Sequence, residues 1–371
     1  IPDGALVALD SLRMYAKVVA KGVTGATPIA ARLPQANDMI ARCTVSVNGI
    51  QVNGANGAYG DSMAMVALTE QDYSRSQSVD ATLSNGNISA GTGDQTSTLC
   101  WHDFQNLFGH SSAKIVSTGM LGSIVATWTL QDNSCLVPKG VGALGVMTPT
   151  EVTAAAGISY KIDCYSVAGG FYEAMLEQRL QEAPIAINYL ETYSFLTDGI
   201  SGGSSAARFS LATRCLDRIY AASRNNSYTQ VGAAPKDLAP TGILGNQFRP
   251  NRTRFRCFDA AQSATYQFQV NNANAPAFRN PLTIGGANSA FSQTDEGCGV
   301  VAQSYKMPSG LMNPMTATLG LNTKGINCSG VYSVSGQQGI SSGADAAAIL
   351  VVAMCQSQLL CGLGRQIAVS Y

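Results

Sequence analysis

Two histidines and an aspartate lie close together in the first third of the chain, at His102, Asp103 and His110. A histidine beside a carboxylate suits a general base with an orienting partner, and two histidines supply half of a metal site. No third ligand stands nearby at a sensible spacing. The segment also carries large aromatic residues, namely Trp101, Phe104 and Phe108. We therefore interpret it as an aromatic loop that packs at a subunit or domain contact.

A second chemical motif, Gly199-Ile-Ser-Gly-Gly203, matches the G-x-S-x-G pattern of a hydrolase nucleophile elbow. That motif needs a strand before the serine, a helix after it, and an acid and a histidine further along the chain. Both histidines lie upstream, and a Gly/Ser-rich segment follows Ser201. We interpret the motif as an exposed turn. We expect no catalytic, cofactor-binding or metal-binding residues, and no enzyme activity.

Four arginines form a dense basic run with two interleaved phenylalanines, in the segment Phe248–Arg256. The arginines are Arg249, Arg252, Arg254 and Arg256. Such a composition suits contacts with phosphates and stacking on bases. The alternative, which we favour, is a strand edge or loop that forms salt bridges with a neighbouring subunit. The sequence contains no phosphate-binding P-loop, Rossmann fingerprint or kinase motif, so nucleotide catalysis has no support.

The chain of 371 residues carries little charge, because Asp, Glu, Lys and Arg make up only 12% of it. An average protein has about 25%. The 23 basic side chains balance 23 acidic ones. Solubility of a free monomer normally depends on interspersed charges and a net charge away from zero, so we expect much of this surface to face other protein. The neutral balance also argues against a nucleic-acid binder, which needs a concentrated basic surface.

The ten cysteines are widely spread and contain no C-x-x-C pair. Zinc modules and disulfide-rich scaffolds have tighter spacing, so we interpret the cysteines mainly as reduced, half-buried residues of a protein assembled inside a cell. Disulfides between some of them remain the alternative. The longest apolar run, 346–355, is too short for a membrane span and suits a core strand. Because the chain opens at Ile1-Pro2 without a signal peptide, we expect its N-terminus to have been trimmed, processed or left out.

The first half is predicted to be mainly β. Asn-Gly pairs, which tolerate the positive φ angles of type I′ hairpin turns, recur at Asn48, Asn53, Asn56 and Asn85. The clearest hairpin is Cys43–Val52, in which alternating residues flank a two-residue turn. The segment Ile115–Leu130 is rich in β-branched residues and predicts one or two core strands.

Two helices are predicted beside these strands. The first is Gly170–Ala183, in which Phe171, Met175 and Leu176 share a face and which Pro184 ends. The second is a short helix at Pro149–Ala156, with Thr150 as a residue that caps its first turn.

Alternating apolar and polar residues predict further strands in the second half. They lie at Ala207–Thr213, Thr265–Val270, Val331–Val334 and Gln366–Tyr371. The segment Cys215–Ser223 is compatible with a strand or a helix. Loops rich in Gly, Asn, Ser and Pro are predicted at 199–206, 232–252, 271–292 and 335–343. Long loops on short strands are typical of jelly rolls.

Each half opens with a tyrosine-rich strand and closes with alternating apolar and small residues. These segments begin at Asp10 and Ile158 in the first half, and at Tyr189 and Gly364 in the second. The length suits two domains. We therefore predict an all-β chain with an N-terminal domain at 1–186 and a C-terminal domain at 187–371.

This layout resembles that of the double jelly-roll major capsid proteins of icosahedral DNA viruses, including virophages, polinton-like viruses and algal giant viruses. The likeness covers nearly the whole chain. It is carried by local stretches that are similar in style, such as Thr44–Ile50, Val125–Asp132, Tyr160–Asp163, Arg208–Ala221 and Ile349–Cys355. The resemblance implies two tandem eight-stranded jelly rolls, which are β-sandwiches, with short helices in the connecting loops.

The resemblance also implies a function in assembly. Three identical chains with two jelly rolls each would form a pseudo-hexagonal homotrimer, and such capsomers would tile an icosahedral shell around a DNA genome. The implied partners are neighbouring capsomers, minor capsid and penton proteins, and, through weak contacts, the genome or an internal membrane. No small-molecule substrate is implied. The implied location is the virion, with assembly inside the host cell.

Two alternatives remain open at this point. One is a carbohydrate-binding or glycan-hydrolysing β-sandwich, for which a pair of carboxylates about 5 to 9 Å apart would be needed. The chain has only two Trp and few acids, which disfavours a sugar site. The other is a minor virion protein at a vertex or in a cementing role. For the major protein, we expect the loops within 232–292 to form trimer contacts or the outer tower.

Overall fold

The protein is an assembly of antiparallel strands with three helices in its described part. The computed structural model describes residues 1–20, 30–32, 40–53, 58–70, 87–88, 95–102, 104–130, 137–139, 149–152, 158–167, 170–200, 204–211, 213, 215–225, 265–270, 273–281, 316–324, 328–335 and 347–370. The helices are α1 (Tyr59–Glu70), α2 (Thr118–Leu121) and α3 (Phe171–Glu182), and short 3-10 turns lie at Leu9–Ser11 and Leu363–Arg365. None of the helices described is long and apolar enough to span a bilayer.

Thirteen strands lie in the part of the first half that the structure describes. They are β1 (Leu6–Ala8), β2 (Arg13–Ala20), β3 (Ala30–Arg32), β4 (Ile40–Val47), β5 (Ile50–Gln51), β6 (Asn87–Ile88), β7 (Gln95–Trp101), β8 (Ile115–Ser117), β9 (Ile124–Leu130), β10 (Val137–Lys139), β11 (Pro149–Val152), β12 (Ile158–Lys161) and β13 (Cys164–Tyr165). β2 pairs with β7, β11 and β12, and β1 lies between β13 and β8. β3 lies between β10 and β6, and β4 lies between β5 and β9.

The predicted hairpin at Cys43–Val52 is confirmed as β4 and β5. Its turn is Asn48-Gly49, with φ of 48° and 80°, the left-handed region that a type I′ turn requires. Beyond the turn, the buried side chain of Asn53 continues the ladder. Its Oδ1 accepts a hydrogen bond from the Val45 amide at 2.6 Å, and its Nδ2 donates to the Cys43 carbonyl at 2.7 Å. An amide side chain therefore replaces strand backbone where β5 ends.

Nine strands follow among the described residues of the second half. They are β14 (Ile185–Ile200), β15 (Ser204–Leu211), β16 (Cys215–Asn225), β17 (Thr265–Val270), β18 (Ala273–Pro281), β19 (Thr316–Lys324), β20 (Cys328–Ser335), β21 (Ala347–Gly362) and β22 (Gln366–Ser370). They form one sheet with the order β14-β21-β16-β19, in which β22 also pairs with β21, and a second sheet with the order β15-β20-β17-β18. All of these pairs are antiparallel.

The central strand of the first of these sheets is β21, between β14 and β16. The seven consecutive residues Ile349–Cys355 are all buried, as expected for a strand covered on both faces. On one face, Phe195 of β14 stacks on Phe209 of β15, with ring centroids 5.4 Å apart. Phe195 lies opposite Val351 in the strand register, so this face of β21 is turned toward the second sheet. The predicted core strand at 346–355 is thus confirmed over its described residues, 347–355.

Most sequence predictions of strands agree with the structure, whereas three predictions of a helix or a loop do not. The predicted loop at 199–206 is wrong at both ends, because β14 extends to Ile200 and β15 begins at Ser204. The predicted helix at Pro149–Ala156 is wrong where the structure describes it, because β11 pairs there with Val18–Ala20 of β2. Pairing with a neighbouring strand outweighs the local capping signal of Thr150. The predicted loop at 271–292 is wrong over β18, which pairs with β17. The ambiguous segment Cys215–Ser223 is a strand held between β19 and β21.

The remaining comparisons between prediction and structure concern the helices and the domain boundary. α3 is confirmed within the predicted Gly170–Ala183, but Leu176 packs inward whereas Phe171 and Met175 are exposed. The predicted core segment Ile115–Leu130 forms two strands, β8 and β9, with α2 between them. α1 was not predicted at all. The boundary between the two predicted domains, near Pro184, remains a prediction.

Candidate functional site

The aromatic loop, residues 101–112, packs into the interior of the molecule. Trp101, Phe104 and Phe108 are buried in one hydrophobic cluster. The rings of Phe104 and Phe108 lie 5.4 and 6.4 Å from the ring of Trp128 on β9. The structure thus shows that these aromatic residues pack within the chain; their predicted place at a subunit or domain contact remains a prediction. Asp103, the expected partner of His102, lies outside the described residues.

The same loop contacts β14, the first strand of the second half. The Leu190 amide donates to the His110 carbonyl at 3.2 Å, and the Ser112 amide donates to the Asn188 carbonyl at 2.7 Å. The residues between these bonds, Ser111 and Tyr189, form an isolated β-bridge. The loop therefore pairs with β14 like a short additional strand. His110 contributes to this contact through its backbone.

Buried polar side chains fix the loop in this position. Asn106 adopts a φ of 64°, a region that Asn tolerates better than most residues, and its Oδ1 accepts a hydrogen bond from the Thr192 amide at 2.9 Å. The backbone amide of Gln105 donates a hydrogen bond to the Tyr59 hydroxyl at 3.2 Å. Each such bond is worth roughly 0.5–1.5 kcal/mol, and more when its loss leaves a buried partner unsatisfied. The loop is thus held by both α1 and β14.

Helix α1 connects two hydrophobic clusters. Tyr59 and Met63, in its first two turns, belong to the cluster that contains the aromatic loop. Val66, one turn later, belongs to a second cluster with side chains of β16 and β21, namely Tyr220, Leu350, Val352 and Met354. Along β21, these residues alternate with the residues whose side chains face the second sheet. One helix of the first half therefore covers a face of a sheet in the second half.

Residues of β14 and β21, in the second half of the chain, also enter the first cluster. Ile187 and Tyr189 of β14 and Leu359 and Cys361 of β21 are buried in it. The Tyr189 hydroxyl donates to the Val52 carbonyl at 2.5 Å, across the same junction. Half-buried side chains of β22, Ile367 and Val369, pack against the cluster from outside. The core of the first half is therefore completed by the C-terminal segment.

A turn at Leu363–Arg365 ties this segment to the N-terminal part of the chain. The Arg365 Nε donates to the Gly119 carbonyl at 3.0 Å, and its guanidinium lies 3.2 Å from the Asp3 carboxylate. The Arg365 carbonyl accepts a hydrogen bond from the Asn48 side chain at 2.9 Å. Arg365 thus contacts three separate segments of the first half, at 3, 48 and 119.

Burial suppresses the ionisation of several groups in this junction. It raises the pKa of the Cys43 thiol from its ordinary value of 9.0 to about 12, and that of Cys361 to about 11. Burial also raises the pKa of Tyr59 well above its usual range. Thiolates, not thiols, are nucleophiles and metal ligands, so these cysteines act as small apolar residues. The Glu191 carboxylate accepts a 2.9 Å hydrogen bond from Ser357 and is likewise buried.

The five cysteines whose side chains are described agree with the predicted reduced state. They are Cys43, Cys100, Cys164, Cys355 and Cys361, all of them free, and all but Cys164 are buried. Cys164 differs from the prediction because it is exposed. Across the described ranges, no three His, Cys, Asp or Glu side chains are grouped as a metal site would require.

Three sequence motifs fall outside the described residues. They are Ser201 with the two glycines that follow it, the arginine run at 249–256, and the predicted loop at 232–252. Their proposed roles therefore remain predictions. Sequence reasoning missed the residues that join the halves, Asn106, Tyr59 and Arg365 among them. Their role depends on contacts between segments far apart in the chain.

Comparison with known proteins identifies the fold. No family model matches the sequence, and no curated protein matches it. Among solved structures, the PBCV-1 virus capsid is 11% identical and has a TM-score of 0.57, with 100% of this chain and 90% of that chain covered. The Sputnik virophage structure is 10% identical, with a TM-score of 0.54 and coverage of 100% and 84%. The Faustovirus major capsid protein is 9% identical, with a TM-score of 0.54 and coverage of 98% and 87%.

At these identities the likeness establishes the fold. The chain has the double jelly-roll fold of viral major capsid proteins, and the predicted all-β class with few short helices is confirmed. The junction described above is the region where the two parts of this fold share side chains.

Proposed function

We propose that this chain is a major capsid protein whose homotrimers form the pseudo-hexagonal capsomers of an icosahedral shell around a DNA genome. The observation that carries the proposal is the full-length likeness to virus capsid structures, which extends over both halves of the chain. A single jelly roll occurs in many kinds of protein. Two jelly rolls in tandem, matched over the whole length of this chain, occur in the capsid structures that it resembles. On this proposal the protein resides in the virion and is not an enzyme.

The shared junction gives a physical reason for this function. Three chains in a closed ring, each with two jelly rolls, present six similar lobes and fit a hexagonal lattice. That fit requires the two lobes of one chain to keep a constant angle. The packing of α1, the aromatic loop and the C-terminal segment across both halves supplies such rigidity.

The composition supports large contacts between subunits. Charged residues at 12% and a balance of 23 to 23 leave a surface suited to broad polar and apolar contacts with other protein. We propose neighbouring capsomers and minor capsid and penton proteins as further partners. Contacts with the genome or an internal membrane would be weak, because the chain has no net charge.

The native mass of the purified protein tests the proposal. We expect a species of about three times 38.6 kDa by light scattering coupled to size-exclusion chromatography. A stable monomer at all concentrations would argue against the capsomer and favour the carbohydrate-binding alternative, which a glycan-binding screen would then examine. A trimer that is a minor component of purified particles would instead indicate a vertex or cementing protein.

The predicted loop at 232–252 offers a second test. We propose that loops within 232–292 form trimer contacts or the outer tower. Replacing 232–252 by a short Gly/Ser linker is expected to leave a folded monomer that does not trimerise. Normal trimers from this variant would refute the proposed role of the loop, without affecting the capsid proposal itself.

A further inference from the structure

Four large apolar side chains are exposed along the short segment 165–175. Tyr165 and Val167 follow β13 and are 50% and 49% exposed, and Phe171 and Met175 on α3 are 70% and 54% exposed. Leu363, on the turn that contacts α3, is also exposed. Phe171 has the highest exposed fraction among the large apolar residues in the described ranges. Exposed apolar residues that occur singly need no explanation, but such a group indicates a contact surface.

The helix α3 is apolar on two sides. Leu176 and Leu180, four residues apart, pack against the first hydrophobic cluster. Phe171 and Met175, also four residues apart, form a second stripe on the exposed side, which we call the outer stripe. A surface helix normally carries one apolar stripe and is polar opposite. Two stripes indicate that α3 lies between its own core and a second protein surface.

The size of the exposed group indicates what kind of contact it makes. An aromatic side chain buries about 150–250 Å², so the four exposed side chains present roughly 400 Å² of apolar area. A specific, stable interface needs about 800 Å² from each partner. The group is therefore too small to hold a permanent oligomer alone. It suits a weak contact that is repeated many times in an assembly.

The charges on α3 disfavour anionic lipid and nucleic acid as binding partners. The helix carries Glu173, Glu177 and Glu182 against one Arg179, which is already paired with Glu182 at 3.1 Å. An acidic helix is repelled by anionic lipid and by nucleic acid. Another copy of this chain, with 23 acidic and 23 basic side chains, imposes no net repulsion.

We propose that the outer stripe of α3 contacts another copy of this chain in a neighbouring trimer, and so joins capsomers to one another. This inference rests on the proposed capsid function and adds which surface makes the contact between capsomers. It separates two sets of contacts: strong contacts within the trimer, made elsewhere, and weak contacts between trimers, made through α3. Removing the stripe is therefore expected to stop growth beyond the trimer while the trimer itself persists.

The test is the double substitution Phe171→Gln and Met175→Gln in the full chain. Glutamine is a good helix former, so α3 is retained while the exposed apolar area is lost. Two control variants are matched to it. Glu177→Gln alters an exposed residue of the same helix outside the stripe, and Val125→Gln removes an exposed apolar side chain from β9.

Sedimentation velocity over a range of protein concentrations gives the readout. We expect wild-type trimers and both controls to associate into larger species, and the double variant to need at least roughly tenfold higher concentration. Association of the double variant at the wild-type concentration would overturn the inference, as would wild-type trimers that never associate. A wild type that is monomeric would instead contradict the proposed function.

Flotation with phosphatidylcholine–phosphatidylserine vesicles tests for a membrane partner, and we expect no binding. Binding by the wild type but not by the double variant would assign the stripe to a membrane and overturn the inference.

Discussion

Replacing Leu359 with alanine is expected to destabilise the first half of the molecule, although residue 359 lies near the end of the chain. Its side chain is fully buried in the cluster that contains Trp101, Phe104 and Tyr59. If the two halves had separate cores, a change in β21 would act on the second half alone. Because the cluster is shared, we expect the substitution to lower the stability of both halves.

The expected magnitude follows from the burial of the side chain. Leucine-to-alanine changes in a core cost about 2–5 kcal/mol, through lost transfer free energy and the cavity left behind. Leu359 has no exposed surface, so its surroundings have little room to collapse, and we expect about 3 kcal/mol. With a denaturant slope of about 3 kcal/mol per molar urea, the unfolding midpoint would fall by about 1 M.

Tryptophan fluorescence measures this effect in the first half specifically. The chain has two tryptophans, Trp101 and Trp128, and both lie in that half. Trp101 is buried in the shared cluster, and the ring of Trp128, at the edge of the cluster, lies near the rings of Phe104 and Phe108. Urea unfolding of wild type and variant at one protein concentration therefore reports the stability of the first core.

The matched control is Leu216→Ala. Leu216 is a leucine of equal burial on β16, outside the shared cluster. We expect it to shift the tryptophan transition less than Leu359→Ala does, because it acts on the first core only indirectly. Equal shifts for the two variants, or no shift for Leu359→Ala, would refute the shared core.

Three further predictions concern the junction and the turns. A double-mutant cycle of Arg365→Ala with Asp3→Ala should give a coupling of only about 0.2–1 kcal/mol in thermal unfolding, because both side chains are about half exposed. A coupling above about 2 kcal/mol would contradict this. Gly49→Ala should cost about 1 kcal/mol or more, since Gly49 has a φ of 80°; an unchanged melting temperature would exclude the type I′ turn. Cys43 and Cys361 should make no contribution to the pH dependence of the free energy of unfolding below pH 9. As pH rises from 9 toward 11 or 12, that free energy should fall, because the thiols ionise first in the unfolded chain. Cys43→Ala should reduce this slope, and an unchanged slope would show that Cys43 is not buried as described.

Local patterns were sufficient to predict most strands. The Asn48-Gly49 turn fixes the register of β4 and β5, and alternation predicts β15, β17 and β22. The run at Ile349–Cys355 is apolar because β21 is covered on both faces. In each case the residues that set the structure are neighbours in sequence.

The errors occur where distant segments decide the structure. Pro149–Val152 is a strand because it pairs with β2. No residue pattern within the segment predicts that pairing. Phe171 and Leu176 are both apolar, but only Leu176 meets the core. The shared cluster likewise joins residue 59 to residues near 359. Contacts over such separations are set by topology, which one sequence does not specify.

On the proposed function, three chains with two jelly rolls each form one capsomer. Electron microscopy of the purified trimer, viewed along its threefold axis, is the direct test. We expect class averages with six similar lobes arranged as a hexagon. Averages with three lobes, or particles the size of one chain, would contradict it.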